Sequence, residues 1–131
     1  MKYFSILFCA FLIVISLESC KKKTCKDFHV GTFESLDKKI SGVTIYRNDS
    51  TQTEINEKLG TENTFNITWV NDCEYYLVLK ETKTPDKNLL NELDTLRVSI
   101  TLIEEDNYQF TAFLRGKKFV NDLKQISSTP K

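Results

Sequence analysis

The chain has 131 residues, which is enough for one ordinary domain and too few for two. Its 18 basic and 18 acidic residues balance, but without residues 1–19 and Lys21 to Lys23 the body carries 14 basic against 17 acidic residues. This negative body lacks the basic face that nucleic-acid binding requires, and the scarcity of glycine and proline argues against disorder.

The amino terminus is apolar. A single basic residue, Lys2, precedes an uncharged run from Tyr3 to Leu17. That run is shorter than the roughly 20 apolar residues that a membrane-spanning helix needs, and it has the length of a signal-peptide core. The alternative is a helix that packs on the protein core. Such a helix would have a polar face toward solvent, which this run lacks. Residues 1–19 are therefore predicted to be a signal peptide.

The run ends in Leu17-Glu18-Ser19-Cys20, which resembles a bacterial lipobox, where the cysteine receives acyl chains such as palmitate and becomes the first mature residue. Leu17 and Ser19 fit that pattern, whereas Glu18 departs from it and makes it similar to the looser lipoboxes of Bacteroidota. The alternative is an ordinary secretory signal that is cleaved nearby. Lipidation of Cys20 predicts a cell-envelope protein anchored to a membrane, the outer membrane by preference, on its periplasmic or surface side. Residues 20–26 would form a basic tether near the headgroups.

Two further cysteines remain in the predicted mature chain, Cys25 and Cys73. Disulfides persist in the oxidising compartments that exported proteins reach, so the pair is predicted to form one bridge. The chain-entropy treatment gives such a bridge about 4 kcal/mol, and the alternative is two buried free thiols. His29 is the only histidine, and the cysteine spacing matches no zinc pattern, so neither a metal nor a cofactor is predicted.

Alternation of apolar and polar residues dominates the chain from residue 27 onward and predicts β-strands. The connections between them are short and rich in asparagine, aspartate and glycine, so consecutive strands are expected to be antiparallel neighbours. The predicted strands are 27–35, 42–48, 51–58, 64–69, 73–79, 95–102, 108–115 and 118–126.

One connection differs from the others. Thr84-Pro85-Asp86 has the signature of a helix start, with a capping residue, a proline in the first helical position and an acid in the first turn. Leu89, Leu90 and Leu93 follow at helical spacing. A short amphipathic helix over 85–93 is therefore predicted between strands five and six, covering a barrel end either as a rigid plug or as a ligand gate.

About eight strands in a hundred residues, mostly joined by hairpins, predict an all-β, up-and-down antiparallel meander. It would close into a small lipocalin-like barrel or form a strongly curved sheet, and a two-sheet sandwich is the alternative. The β-domain is expected to span 27–126, with a disordered polar tail over 127–131.

Three segments carry a family resemblance: "CKDFHVGTF", "IYRNDSTQTEIN" and "ITWVNDCEYYLVL". They resemble a family of small uncharacterised lipoproteins of Bacteroidota, over roughly Cys25 to Arg115. The resemblance implies a lipocalin-like fold and no established activity. Some members carry a topoisomerase label, which nothing in these residues supports, since a slightly acidic exported β-protein lacks the features of a DNA enzyme.

Catalytic chemistry is not predicted. His29 is expected to be a solvated residue, no serine lies in a G-x-S-x-G setting, and no glycine-rich phosphate loop occurs. Paired carboxylates are the remaining option for acid–base chemistry, but the candidate glutamates fall at positions that alternation assigns to the exposed face. These glutamates are Glu54, Glu57, Glu74 and Glu81. The chain is therefore predicted not to be an enzyme.

Two sets of apolar side chains bear on function. Phe65, Trp69, Tyr75 and Phe110 share the inward parity and form either a filled core or the lining of a ligand cavity. A second set falls on the opposite face and would mark a partner site if its members adjoin. This second set is Tyr46, Tyr76, Val78, Ile103 and Phe113.

The sequence thus favours an anchored, non-catalytic interaction module that recruits an envelope protein. The alternative is a lipocalin-like carrier that holds a small apolar ligand inside the barrel. Ser50 and Thr95 lie in three-residue segments that resemble the O-glycosylation sites of Bacteroidota, and both are retained as candidate modification sites.

Overall fold

The computed structural model describes residues 20–87 and 90–130, in which eight antiparallel strands follow one another around a closed barrel. Each strand pairs with its neighbours in the chain, and β1 also pairs with β8, which closes the ring. The architecture is therefore the predicted barrel and not the sandwich. The strands are β1 (Gly31–Ser35), β2 (Val43–Arg47), β3 (Thr51–Asn56), β4 (Thr61–Asn71), β5 (Glu74–Thr82), β6 (Thr95–Glu104), β7 (Asn107–Leu114) and β8 (Lys117–Ser127).

Closure of the ring depends on a glycine. Gly31 has a φ of +147°, a conformation that other residues rarely adopt. A Cβ at this position would lie 2.5 Å from the carbonyl oxygen of Ser127 and 2.9 Å from Nε2 of Gln125. Any side chain at Gly31 would therefore push β8 away from β1.

One end of the barrel is covered by the chain that enters it. A 3-10 turn, Cys25–Phe28, precedes β1 at the end where the turns after β2, β4 and β6 also lie. We call this the closed end, and the opposite one the far end. The sequence predicted a strand from residue 27, but Asp27 accepts hydrogen bonds from the Thr24 backbone N–H and hydroxyl at 2.8 and 3.1 Å. This capping box starts a helical turn in place of the strand.

The predicted helix over 85–93 is not found in the described part of that segment. Pro85–Lys87 form a single 3-10 turn, and Leu89 lies outside the described residues. Asn91 and Asp94 explain the difference, because their side chains accept bonds from the backbone N–H groups of Leu93 and Asn91. Such local bonds compete with helix formation, which is marginal in so short a segment. Leu93 is 93% exposed, whereas Leu90 packs against the core, so the described part of the predicted leucine stripe contacts the barrel only through Leu90.

A β-bulge reverses the predicted facing of two residues in β6. The register against β7 shifts between Ile100 and Leu102. Leu102, predicted to face inward, is consequently 52% exposed, whereas Ile103, predicted to face outward, packs against the core. Alternation counts residues without regard to bulges, so the sequence places these two on the wrong faces.

The interior is a continuous apolar core that extends through the barrel. Each buried aliphatic or aromatic side chain contributes about 1.5–3 kcal/mol before the entropy cost is subtracted. The buried residues of this core are Cys25, Phe28, Phe33, Ile45, Phe65, Ile67, Tyr75, Leu77, Leu79, Val98, Ile100, Tyr108, Ala112 and Leu123.

The carboxyl-terminal segment is attached to the barrel. β8 continues to Ser127, one residue into the tail predicted to be disordered, and the carbonyl oxygen of Thr129 accepts a hydrogen bond from Thr32 Oγ1 at 3.1 Å. The tail therefore bonds to β1 through the backbone carbonyl of Thr129, and the hydroxyls of Ser127 and Thr129 bond to each other, which sequence polarity alone does not reveal.

Candidate functional site

A disulfide fixes the entering chain to the closed end. Cys25 and Cys73 form a disulfide, with their Cα atoms 5.1 Å apart. This confirms the bridge that the sequence predicted. The bridge joins the 3-10 turn to the turn between β4 and β5, so the turn Cys25–Phe28 cannot leave the barrel while the bond is intact.

His29 lies beside this bridge and packs on an aromatic ring. Its imidazole stacks on Trp69 with ring centroids 3.4 Å apart, and Nε2 lies 2.7 Å from the carbonyl oxygen of Asp72. His29 is therefore a packing residue of the closed end. The sequence identified it as the one candidate base and predicted a solvated position, but the stack on Trp69 gives it a structural role.

The least expected feature of the interior is a fully buried arginine. Arg47 at the end of β2 has no exposed surface, and its guanidinium donates four hydrogen bonds within the barrel. They run to Gln52 Oε1 at 2.7 Å, the Phe28 carbonyl oxygen at 2.8 Å, Tyr75 Oη at 3.0 Å and Tyr108 Oη at 3.1 Å.

Aromatic rings complete the surroundings of this cation. The guanidinium carbon lies 4.7 Å from the ring centroid of Phe33 and 5.0 Å from that of Tyr75. Burial acts to lower the pKa of Arg47, but its interactions with Tyr108, Tyr75 and Glu54 leave that pKa raised, so the group stays charged. Burial raises the pKa of Tyr75, so this phenol stays neutral. A charged guanidinium bound by a backbone carbonyl, an amide and two phenols is a structural centre, because four of its five N–H groups already donate hydrogen bonds within the barrel.

Gln52 connects the arginine to a carboxylate. It accepts from Arg47 and donates from Nε2 to Glu54 Oε1 at 2.8 Å. The sequence placed Glu54 on the exposed face, and this is wrong: Glu54 pairs with Ile45 and Asn63 in a row that faces the barrel interior. Ile55 takes the outward position, so the apolar residue of β3 misled the assignment. Burial is the main effect on the Glu54 carboxyl and raises its pKa, against smaller opposite effects from Gln52 and Arg47.

This pKa shift predicts a pH-dependent difference between two variants. A carboxyl whose pKa is raised on folding is favoured when protonated, so its contribution to stability is lost as the pH rises from the ordinary glutamate pKa through the raised one. Glu54→Gln should match the wild type in acid and become the more stable protein toward pH 7. Urea unfolding at several pH values measures this, with Glu57→Gln as the exposed control. A stability difference that shrinks as the pH rises would contradict the assignment.

The four aromatic residues predicted to face inward do so. Phe65 and Tyr75 are buried, and Trp69 and Phe110 are partly buried against the core. Trp69 packs on Tyr75 with centroids 4.5 Å apart, and Phe110 on Tyr108 at 6.5 Å. Together with the Arg47 network they fill the closed half of the barrel with side chains.

The far end holds a surface pocket of about 400 Å³. It lies between the end of β5 and the connection to β6, and its wall is formed by Leu79, Thr82, Pro85, Leu90 and Leu93 with the polar residues Asn91 and Glu92. Asp94 ties this connection to the turn after β7 by accepting two hydrogen bonds from Arg115, one from Nε at 2.8 Å. The Arg115 guanidinium is the main reason that the pKa of Asp94 is lowered.

On the outer face, strand register aligns two of the predicted surface aromatics. Tyr76 pairs with Arg97, Arg97 pairs with Phe113, and Phe113 pairs with Lys118, which gives one row across β5 to β8. We call these four residues the outer row. Phe113 is 44% exposed, and Val120, half exposed, is its diagonal neighbour on β8. Cross-strand neighbours lie about 4.5–5.5 Å apart, so the row is contiguous.

The remaining candidates do not join this row. Tyr46 lies on β2, paired with Thr32 and Thr53, and Val78 pairs with Asn66 and Thr95. Ser50 and Thr95 are both exposed, the first in the turn after β2 and the second at the start of β6. Cys20 is exposed and has a free thiol.

Within residues 20–87 and 90–130, no group of histidine, cysteine and acidic side chains is placed to hold a metal ion. Over the same residues, no helix is both long enough and apolar enough to span a bilayer. No family model, curated protein or solved structure matches this chain.

Proposed function

We propose that this protein is a lipid-anchored, non-catalytic interaction module of the cell envelope, and that the outer row recruits a partner protein. The observation that carries the proposal is the alignment of Tyr76, Arg97 and Phe113 by strand register. Aromatic residues and arginine are enriched at the energetically dominant positions of protein interfaces. The filled closed half of the barrel argues against a large internal ligand site there.

Charge indicates the chemistry of the partner. Arg97 and Lys118 flank Phe113, and Arg97 makes a long ion pair of 3.5 Å with Glu74, in which its side chain remains 57% exposed. Both cations are therefore accessible beside an apolar centre. The matching surface is an exported protein that presents carboxylates around an apolar side chain.

Site-specific photo-crosslinking tests this surface. The photoreactive residue p-benzoylphenylalanine in place of Phe113 should give one defined protein adduct in intact cells, and Tyr46, an aromatic on another strand, is the matched control position. Adding Arg97→Glu and Lys118→Glu should abolish the adduct, because the charge match is reversed. An identical adduct at position 46, or one insensitive to charge reversal, would refute the outer row as the binding surface.

The anchor is tested separately. Mass spectrometry of the native protein should find the amino-terminal residue to be Cys20 carrying acyl chains, since Leu17-Glu18-Ser19-Cys20 resembles a lipobox. Cys20→Ser should release the domain into the soluble fraction or halt processing. A mature protein that begins elsewhere, with Cys20 unmodified, would rule the anchor out.

The pocket at the far end favours a second candidate function, a carrier for a small apolar ligand. Its leucine-rich wall and its volume of about 400 Å³ suit a ligand of that kind. Saturable binding of a fluorescent fatty acid, weakened by Leu79→Asn but unaffected by Leu59→Asn at an exposed turn, would support it. Absence of saturable binding would leave the interaction module alone.

A further inference from the structure

The tether that precedes the barrel is already fixed to the closed end at Lys23, although its basic sequence suggests a free segment. Lys23 Nζ donates hydrogen bonds to Asp106 Oδ1 at 2.6 Å and to Gln125 Oε1 at 2.8 Å, and it lies 5.6 Å from the ring centroid of Phe28. The same contact lowers the pKa of Asp106. Lys23 is therefore a barrel residue, although the sequence assigned it to a headgroup-binding cluster.

The residues around Lys23 reinforce this attachment. Gln125, which accepts from Lys23, is buried and donates from Nε2 to the carbonyl oxygens of Asp27 and Val30 at 3.0 and 3.1 Å. The disulfide at Cys25 follows two residues later. The chain from Lys23 onward is thus held at two places. Cys73 holds it to the turn between β4 and β5, and Gln125 holds it to β8.

Cys20 lies only three positions before this fixed point, with Lys21 and Lys22 between them. Fully extended chain spans at most about 3.3–3.6 Å per residue, so Cys20 reaches roughly 10 Å from Lys23. The barrel wall is longer: β8 has 11 residues, and a tilted strand of that length spans roughly 25 Å along the barrel axis. A group attached to Cys20 is consequently held close to the closed end and away from the far end.

We infer that the closed end of the barrel faces the lipid headgroups, and that the far end with its pocket points away from the membrane. This inference rests on the proposed acylation of Cys20. The surface that meets the headgroups carries the exposed cations Lys21, Lys22 and Lys26, which anionic phosphates attract. Asp49, Asp72 and Glu105 also lie on the turns of this end, so the short tether, and not net charge, sets the orientation.

Headgroup quenching tests the orientation. The native acylated protein is reconstituted into phosphatidylcholine–phosphatidylglycerol vesicles that contain a lipid with a nitroxide on its headgroup. A fluorophore is placed through Asp49→Cys, an exposed position in the turn after β2 at the closed end, or through Lys117→Cys, an exposed position at the start of β8 at the far end. Quenching should be several-fold stronger at position 49. Insertion of a ten-residue Gly-Ser linker between Lys22 and Lys23 should remove most of that difference.

The possible results separate the two proposals. Equal quenching at positions 49 and 117 in protein that floats with the vesicles, or stronger quenching at 117, would overturn the orientation and leave the anchor standing. Protein that lacks acyl chains by mass spectrometry and does not float would overturn both. A difference that survives the linker would show that charges on the closed end itself, such as Lys26, orient the barrel, which would overturn the short tether as the cause while the orientation stands.

Discussion

Arg47→Ala is expected to lower the free energy of unfolding by about 3–5 kcal/mol, the range seen when one partner of a buried charged network is removed. The substitution leaves the hydroxyls of Tyr75 and Tyr108 and the carbonyl of Phe28 without their donor. It also leaves the Glu54 carboxyl without the nearby cation. Urea unfolding followed by the fluorescence of Trp69, the single tryptophan, measures the loss.

Companion variants identify the source of that loss. Tyr75→Phe and Tyr108→Phe each remove one hydrogen bond to a charged group and should cost about 1.5–3 kcal/mol. Adding Glu54→Gln to Arg47→Ala should restore part of the stability, because an uncompensated carboxylate is removed with its cation. If Arg47→Ala changes the free energy of unfolding by no more than about 0.5 kcal/mol, the scale of ordinary surface substitutions, the network contributes little to stability.

Loss of the disulfide has the second largest expected effect. Paired Cys25→Ser and Cys73→Ser substitutions free a loop with a sequence separation of 48 residues, for which loop entropy gives a loss of about 4 kcal/mol. The strands retain their apolar face, so the barrel should melt at a lower temperature yet remain folded. Faster hydrogen exchange should be confined to the residues before β1.

Reductant supplies the matched control for this experiment. Dithiothreitol should lower the melting temperature of the wild type toward that of the double serine variant and should leave the variant unchanged. If the reduced wild type is unfolded, the bridge is needed for the fold itself. If its melting temperature does not move, the turn Cys25–Phe28 is held by Phe28 and Gln125 without the bond.

The barrel was predictable because its apolar alternation and turn residues are local signals. The alternation in β4, β5 and β7 is clear, and the expectation of export predicted that Cys25 and Cys73 would be bonded. The Arg47 centre was not predictable, because Arg47, Tyr75 and Tyr108 come from three separate strands and no short segment contains their relation. The facing of β3 made the Arg47 centre harder still to predict, because the polar residues Gln52 and Glu54 face inward and Ile55 faces outward.

Two other departures have different physical causes. The bulge in β6 reverses the facing of Leu102 and Ile103. Strict alternation along a strand cannot predict this, because it assumes that no residue is inserted. The segment after Pro85 carries genuine helix-start residues, but the side chains of Asn91 and Asp94 satisfy the backbone locally. Outward aromatics such as Tyr76 and Phe113 could be identified from parity, whereas their alignment with Arg97 required the register.

The pairing of β1 with β8 limits how this protein can bind others. Within residues 20–87 and 90–130, each strand has a hydrogen-bonding neighbour on both sides, so no strand there is left as a free edge along its whole length for a partner's extended segment. Recognition by backbone-to-backbone pairing tolerates many sequences, and the closed ring disfavours that route. Partners must instead read side chains on the strands and turns, so a few substitutions on the surface would suffice to change the partner while the scaffold stays the same.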